Sequence, residues 1–452
     1  MTVALFAMLA AEPALAGELV WEGFYRGRGL FYDTLSLAAA EGNDATEGSS
    51  QSFDHRMSLR PTWRVSEHAS LHAQLELNAF TTWGEETATY ADPVSGTTIA
   101  RAEADGVAPS AVSIAATRAW GEANTGVGRF AMGRMPMQWG GGILWNDGND
   151  VLAEYGDTAD RVQWSGRFGP VFVLAAWDVQ YEGFLGQEDD MQAASLAFGY
   201  RSETAGVGLL NNYRYQADHA DDDKYATGPW QAYTGDLWGF TRLGPVQLEL
   251  EAVAHFGGGN LSAERNDVDA MAFGGMLNAD WKGEKFGLGL QGGFATGDAD
   301  PDDEKLRTFS FDRDHNVALL LFEEPMPTLE TGVINNENEG RTEDAALTGD
   351  GISNALYLRP AARYTILPGL QAEAAWIGAL TAKTPAAFEG NGGYGNEFDL
   401  SVRYDPHPHV WVQGTFGVFL PGKYYTEYED ADFGGGFDKT AVGARVVGVV
   451  EF

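Results

Sequence analysis

The 452-residue chain contains no cysteine, so neither a disulfide framework nor a thiolate metal site can form. No stretch reaches the eighteen or so consecutive apolar residues that a membrane helix needs, which excludes a helical span. Positive charge is scarce: Lys+Arg 29 against Asp+Glu 65 leaves a net charge of -36. That balance removes nucleic acid from the partners, because phosphate binding requires a basic surface. Catalytic motifs are also missing, with neither G-x-S-x-G nor H-E-x-x-H present. Gly287, Gly289 and Gly292 spell G-x-G-x-x-G, yet they sit in an alternating segment with no helix N-terminus to hold a phosphate. His407 and His409 flank a proline in a tight turn. Ser58 and His72 fall on neighbouring segments, as a lipid-hydrolysing barrel would need, but barrels offer such pairs by chance. No enzymatic reaction is assigned.

What the chain does have is glycine and aromatics: 58 Gly, 13 Trp, 17 Tyr and 25 Phe. Its mean hydropathy is nevertheless slightly negative, so large apolar and polar residues must be finely interleaved. The start, "MTVALFAMLAAEPALAG", is an apolar run closed by Ala14-Leu15-Ala16, which predicts a signal peptide over 1–16 and export of 17–452. An exported chain without a membrane helix is either soluble or a closed barrel.

The period of the interleaving decides between them. In "SFDHRMSLRPTWRV" one row is Phe53, His55, Met57, Leu59, Pro61, Trp63 and the other Asp54, Arg56, Ser58, Arg60, Thr62, Arg64. Leu71, Ala73, Leu75 and Leu77 alternate with His72, Gln74 and Glu76, and Val246, Leu248, Leu250 with Gln247, Glu249, Glu251. Such rows suit tilted strands crossing a bilayer. Trp83, Trp120, Trp164, Trp281, Tyr364 and Tyr404 fall at row ends, as aromatic girdles require. Tight links ("RFGP", "RLGP", "KGEK", "DPHP") alternate with long acidic loops, the pattern of bacterial outer-membrane proteins. The expected fold is all-β, one transmembrane antiparallel β-barrel of about eighteen strands over 17–452. The terminal row Val442, Ala444, Val446, Gly448, Val450, Phe452 is expected to pair with "WEGFYRGRGLFYD" and close the sheet.

If the mixed rows face a lumen, Arg56, Arg60, Arg64, Glu76, Arg359, Arg363, Glu373, Asp399 and Arg403 line it. Cross-strand charges at about 5 Å can form ladders that only brace the wall, or an eyelet that selects solutes. The Gly-rich loop "GRMPMQWGGGILWNDGND" is too apolar for a solvated tip and is expected to fold inward, with Trp139, Trp145, Asn146 and Asp147 at a constriction. Asp298, Asp300, Asp302 and Asp303 offer hard oxygen ligands that suit calcium, or make a solvated acidic turn. "HNVALLLFEE" is an apolar run within a loop region, read as a plug or a short packed segment.

The stretches "GRMPMQWGGGILWNDGND" and "GDADPDDEKLRTF" resemble the alginate-export porins and their outer-membrane relatives, in wording closer to relatives from myxobacteria. That resemblance implies an outer-membrane channel for small hydrophilic solutes. It also implies lipopolysaccharide and the assembly machinery as partners, no resident cofactor, and Arg134, in the first loop motif, as part of the constriction. A barrel plugged by its loops, serving a structural or binding role, is the alternative.

Overall fold

The computed structural model describes residues 17–35, 37, 49–82, 89–91, 98–100, 114–181, 191–216, 229–260, 267–298, 303–324, 351–384, 392–427 and 437–452. The expected signal segment, Trp83, Asp300 and Asp302 lie outside them.

Eighteen strands form one antiparallel sheet: β1 (Glu18–Asp33), β2 (Ser49–Arg64), β3 (Ala69–Thr82), β4 (Ile114–Thr125), β5 (Gly128–Pro136), β6 (Thr158–Phe168), β7 (Val171–Tyr181), β8 (Met191–Arg201), β9 (Ala205–Gln216), β10 (Trp230–Leu243), β11 (Val246–Gly259), β12 (Val268–Lys282), β13 (Phe286–Ala295), β14 (Ala355–Leu367), β15 (Leu370–Thr381), β16 (Gly393–His407), β17 (Val410–Pro421) and β18 (Ala441–Glu451). Each pairs with its successor, and β1 pairs with β18 from Phe24↔Glu451 to Asp33↔Val442, so the sheet closes. Phe452 continues the seam: its N–H and C=O exchange 3.0 Å hydrogen bonds with Gly23. A closed sheet leaves no edge groups unpaired, the condition for crossing hydrocarbon. The pair Lys305–Leu306 adds a short parallel contact beside β12.

Alternation decides which row meets lipid. On β13, Leu288, Leu290 and Phe294 are exposed outward, while Gly287, Gly289 and Gln291 turn to the lumen. The G-x-G-x-x-G run is therefore strand, as its alternation predicts. Short turns at 126–127, 169–170, 244–245, 368–369 and 408–409 share one end with both termini; the long loops share the other. Aromatics mark both rims of the outward band. Trp164, Trp281, Tyr364 and Tyr404 lie near the short turns. Towards the long loops, ring donors meet amides on neighbouring strands: Trp177 with Gln192 (3.3 Å), Tyr213 with Gln231 (3.0 Å) and Trp376 with Asn396 (3.1 Å). A ring that is apolar in its body and polar at its tip suits the lipid–water boundary. Trp120 departs from the expected girdle. It turns into the lumen, stacks on His72 with centroids 4.7 Å apart, and donates to Glu122 at 3.0 Å, because it shares the inward row of β4 with Arg118.

The lumen is not empty. Its largest apolar cluster joins Phe309, Phe311, Val317, Leu319, Leu320 and Leu321, from the chain between β13 and β14, to wall residues such as Tyr357, Ile377 and Phe419.

Candidate functional site: the lumen and its two inward loops

The first inward loop runs over 137–157, between β5 and β6. A backbone folded into a barrel brings carbonyls that need donors, and guanidinium groups offer five N–H each. Four wall arginines meet that need. Arg26 is fully buried and donates to the carbonyl oxygens of Val151 (3.1 Å), Leu152 (3.1 Å) and Ala153 (3.3 Å). Arg56 reaches Ala153 O at 2.7 Å, and Arg60 reaches Asn149 O at 3.0 Å. Arg118 donates to the side-chain oxygen of Asn149 at 3.0 Å and to the carbonyl of Asp147. Arg28 adds an ion pair with Glu154. On the far wall, the buried carboxylate of Glu251 accepts the N–H of Gly141. Gly148, at φ +62, lets the loop turn: a Cβ there would stand 2.0 Å from the Tyr155 carbonyl oxygen.

The second inward segment, 307–324, docks on one carboxylate. Glu397, on β16 and fully buried, accepts the N–H groups of Leu319 (2.9 Å), Leu320 (2.8 Å) and Leu321 (2.7 Å). Three backbone donors compensate the burial of its charge. The leucines fill the space between plug and wall, where each buried side chain contributes about 1.5–3 kcal/mol. Tyr32 fastens the far end by donating to Glu324.

The two segments meet in mid-lumen. Asp312 N–H donates to Ile143 O at 2.9 Å, Glu154 N–H donates to Asp314 at 2.7 Å, and the carboxyls of Asp157 and Asp312 share a hydrogen bond. Burial pushes both members of that pair above the ordinary aspartate range, and the Asp157 charge further opposes ionisation of Asp312. Burial pushes Asp314 up to about 6.

Between these segments and the wall of β14 to β18 remains a cavity of about 400 Å³, lined among others by Asn146, Asp150, Asp314, Arg359, Gln413 and Arg445. The wall carries the ladder Arg359–Glu373 (2.7 Å), Glu373–Arg363 (2.6 Å) and Arg363–Asp280 (2.9 Å). Asp399 lines the same cavity beside Glu397.

The remaining candidate residues have distinct places. Arg56 and Arg60 belong to the inward row but grip loop backbone, and Glu76 is committed to Arg56 at 2.8 Å. Arg64 lies at the short-turn rim, more than half exposed, paired with Glu18 at 2.7 Å. Arg403 pairs with Asp405 and lies over the Trp411 ring at 4.0 Å. Trp139, Trp145, Asn146 and Asp147 sit in the inward loop: Trp139 packs edge-on to Phe172, Trp145 lies under the Arg161 guanidinium, and the Asn146 N–H donates to Asp157 at 3.1 Å. Arg134 does not join the constriction. It stands on the outward row of β5 and pairs with Asp160 at 2.6 Å on the exposed face, since the inward positions of that strand belong to Ala131 and Met135. Asp298 accepts Arg307 N–H at 3.0 Å, and Asp303 pairs with Lys305 at 2.8 Å. Among the described residues no cluster of three or more His, Asp or Glu could hold a metal ion. Ser58 donates to Glu76 at 2.9 Å, whereas His72 bonds Thr62 and Ser70, so the hydrolase pair is not assembled. Arg26, Arg118, Glu251, Asp312, Asp314, Glu397 and Arg445 were not marked by any motif; their signal was only their place in inward rows or loops.

A closed eighteen-strand barrel with an apolar outer band and loops turned into its lumen has the architecture of a porin-like transmembrane β-barrel. Its fold is similar to that of solved proteins of Pseudomonas aeruginosa: the outer membrane protein OpdK (TM-score 0.55, 12% identity, 96% of this chain and 98% of that one), OccK2 (OpdF; 0.55, 9%, 96% and 98%) and OccK9 (OpdG; 0.54, 12%, 96% and 99%). No family model and no curated protein matches the chain.

Proposed function

We propose that the protein is a channel for passive passage of small hydrophilic solutes across the outer membrane, constricted by the loop at 137–157. The observation that carries this reading is the polar cavity of about 400 Å³ left between the docked loops and the β14–β18 wall. A barrel built only as a shell has no need of a charged gap, and barrels of sixteen to eighteen strands are wide enough to conduct. The alginate-export resemblance fits such a channel, but alginate itself is a poor cargo. A polyuronate needs a basic lumen, and here Arg26, Arg56, Arg60 and Arg118 are spent on loop contacts. The second reading, a plugged structural or binding barrel, is favoured by the leucine plug on Glu397. Single-channel current in a planar bilayer across a salt gradient separates the two. A steady ohmic conductance supports the channel; silence at all voltages hands precedence to the plugged barrel.

A further inference from the structure

We propose that the cavity beside the inward loops is a subsite for zwitterionic solutes, such as amino acids or small peptides, with the solute carboxylate at Arg445 and its ammonium at Asp314 and Asp150. The inference rests on the channel reading and specifies its solute.

The cavity carries uncommitted charge on both its sides. Arg359, in the same cavity, is answered by Glu373 at 2.7 Å. Arg445, on β18, has no ion pair or hydrogen bond among the described residues, and its Nε is shut from solvent without an acceptor. Glu323 and Glu324 lie within its field, but Glu323 accepts the Val317 N–H and Glu324 the Tyr32 hydroxyl. A guanidinium left without an acceptor in a partly desolvated wall is costly unless a ligand or solvent answers it.

The loop side of the cavity carries the opposite charge. Asp314 accepts main-chain N–H groups from Glu154 and Tyr155, and Asp150 accepts that of Leu152. Neither has a cation within ion-pair distance among the described residues. A simple anion would meet both aspartates, and a simple cation would meet Arg445. Only a solute bearing both charges answers both walls at once, and the space left holds a molecule of that size.

The test uses the full-length protein in proteoliposomes, with glycylglycine as the zwitterion. N-acetylglycine, glycinamide and N-acetylglycinamide serve as the anionic, cationic and neutral probes of similar size. Glycylglycine influx should be saturable and several-fold faster than that of the other three. Arg445→Gln and Asp314→Asn should each level the difference, while potassium chloride current persists and the folded form still migrates apart from the boiled one. Equal rates for the four probes, or a preference that survives both substitutions, overturn the subsite while leaving the channel intact. Absence of any salt current overturns the channel reading and the subsite with it.

Discussion

Arg56 and Ala153 are joined by a 2.7 Å hydrogen bond from wall guanidinium to loop carbonyl, although 97 positions separate them in the chain. With Arg26, Arg60 and Arg118 it makes the wall of β1 to β4 a cradle for the constricting loop. Charges that a solute could have used are thereby turned to loop placement. In the proposed channel these arginines would set pore width rather than ion preference.

Arg26→Met should therefore enlarge the pore. It removes three charge-assisted contacts and strands the carbonyls of Val151 and Leu152, while Ala153 keeps its Arg56 donor, weakening loop docking by about 2–4 kcal/mol. Single-channel conductance should rise with little change in reversal potential. Arg134→Gln, on the outward face, is the control and should alter neither. A selectivity shift without wider conductance would count against the cradle.

Glu397→Gln should loosen the plug. A carboxamide has one acceptor oxygen and a nitrogen that repels N–H donors, so the three amides of Leu319, Leu320 and Leu321 cannot all be satisfied. Each amide left buried without a partner costs about 1–3 kcal/mol. Hydrogen exchange over residues 317–324 should accelerate while the strands stay protected. Unchanged exchange there would mean that the leucines alone hold the segment.

The junction of the loops should weaken as pH rises. Asp157, Asp312 and Asp314 all have folded-state values raised by burial, so the folded junction binds more protons than the released loops do. Docking is then strongest below the ordinary aspartate value of about 4 and declines as pH climbs through about 6, continuing as the Asp157–Asp312 pair ionises. Arg118 facing Asp157, and Arg26 and Arg56 facing Asp314, moderate the decline. Channel noise and mean current should increase between pH 5 and pH 9, ranges bracketing those titrations. Asp312→Asn should flatten the profile, and a flat profile in the unaltered protein would sink the idea.

Deletion of Phe452 should lower the temperature at which the folded form is lost on a gel. The deletion removes both hydrogen bonds to Gly23 at the seam, and the ring that closes over it, leaving β1 groups unpaired at the short-turn rim. Substitution Phe452→Leu keeps the main-chain bonds and should restore most of the loss.

Local alternation made the barrel legible. A period of two read along β2, β3 and β11 assigns each side chain to lipid or lumen without reference to any partner, because successive side chains on a strand point to opposite faces. The pairing of β18 with β1 follows from the same rule, since an apolar last strand must be covered. Glycine and tryptophan in the loop after β5 likewise showed that it could not be a solvated tip. Trp120 and Arg134 were misplaced because row ends and motif membership say nothing of phase: one position along a strand reverses the face.

What the sequence determined by itself, then, is the closed barrel, its lipid-facing row and the inward course of the Gly-rich loop, all properties of short-range pattern. Tertiary structure alone decided what the inward charges do. Arg56 and Arg445 read alike in sequence, each a basic residue on an inward row, yet one is bound to a loop carbonyl and the other faces an open cavity. That difference arises from where distant loops come to rest. Hydrogen bonding acts over about 3 Å and cannot be read from spacing along the chain.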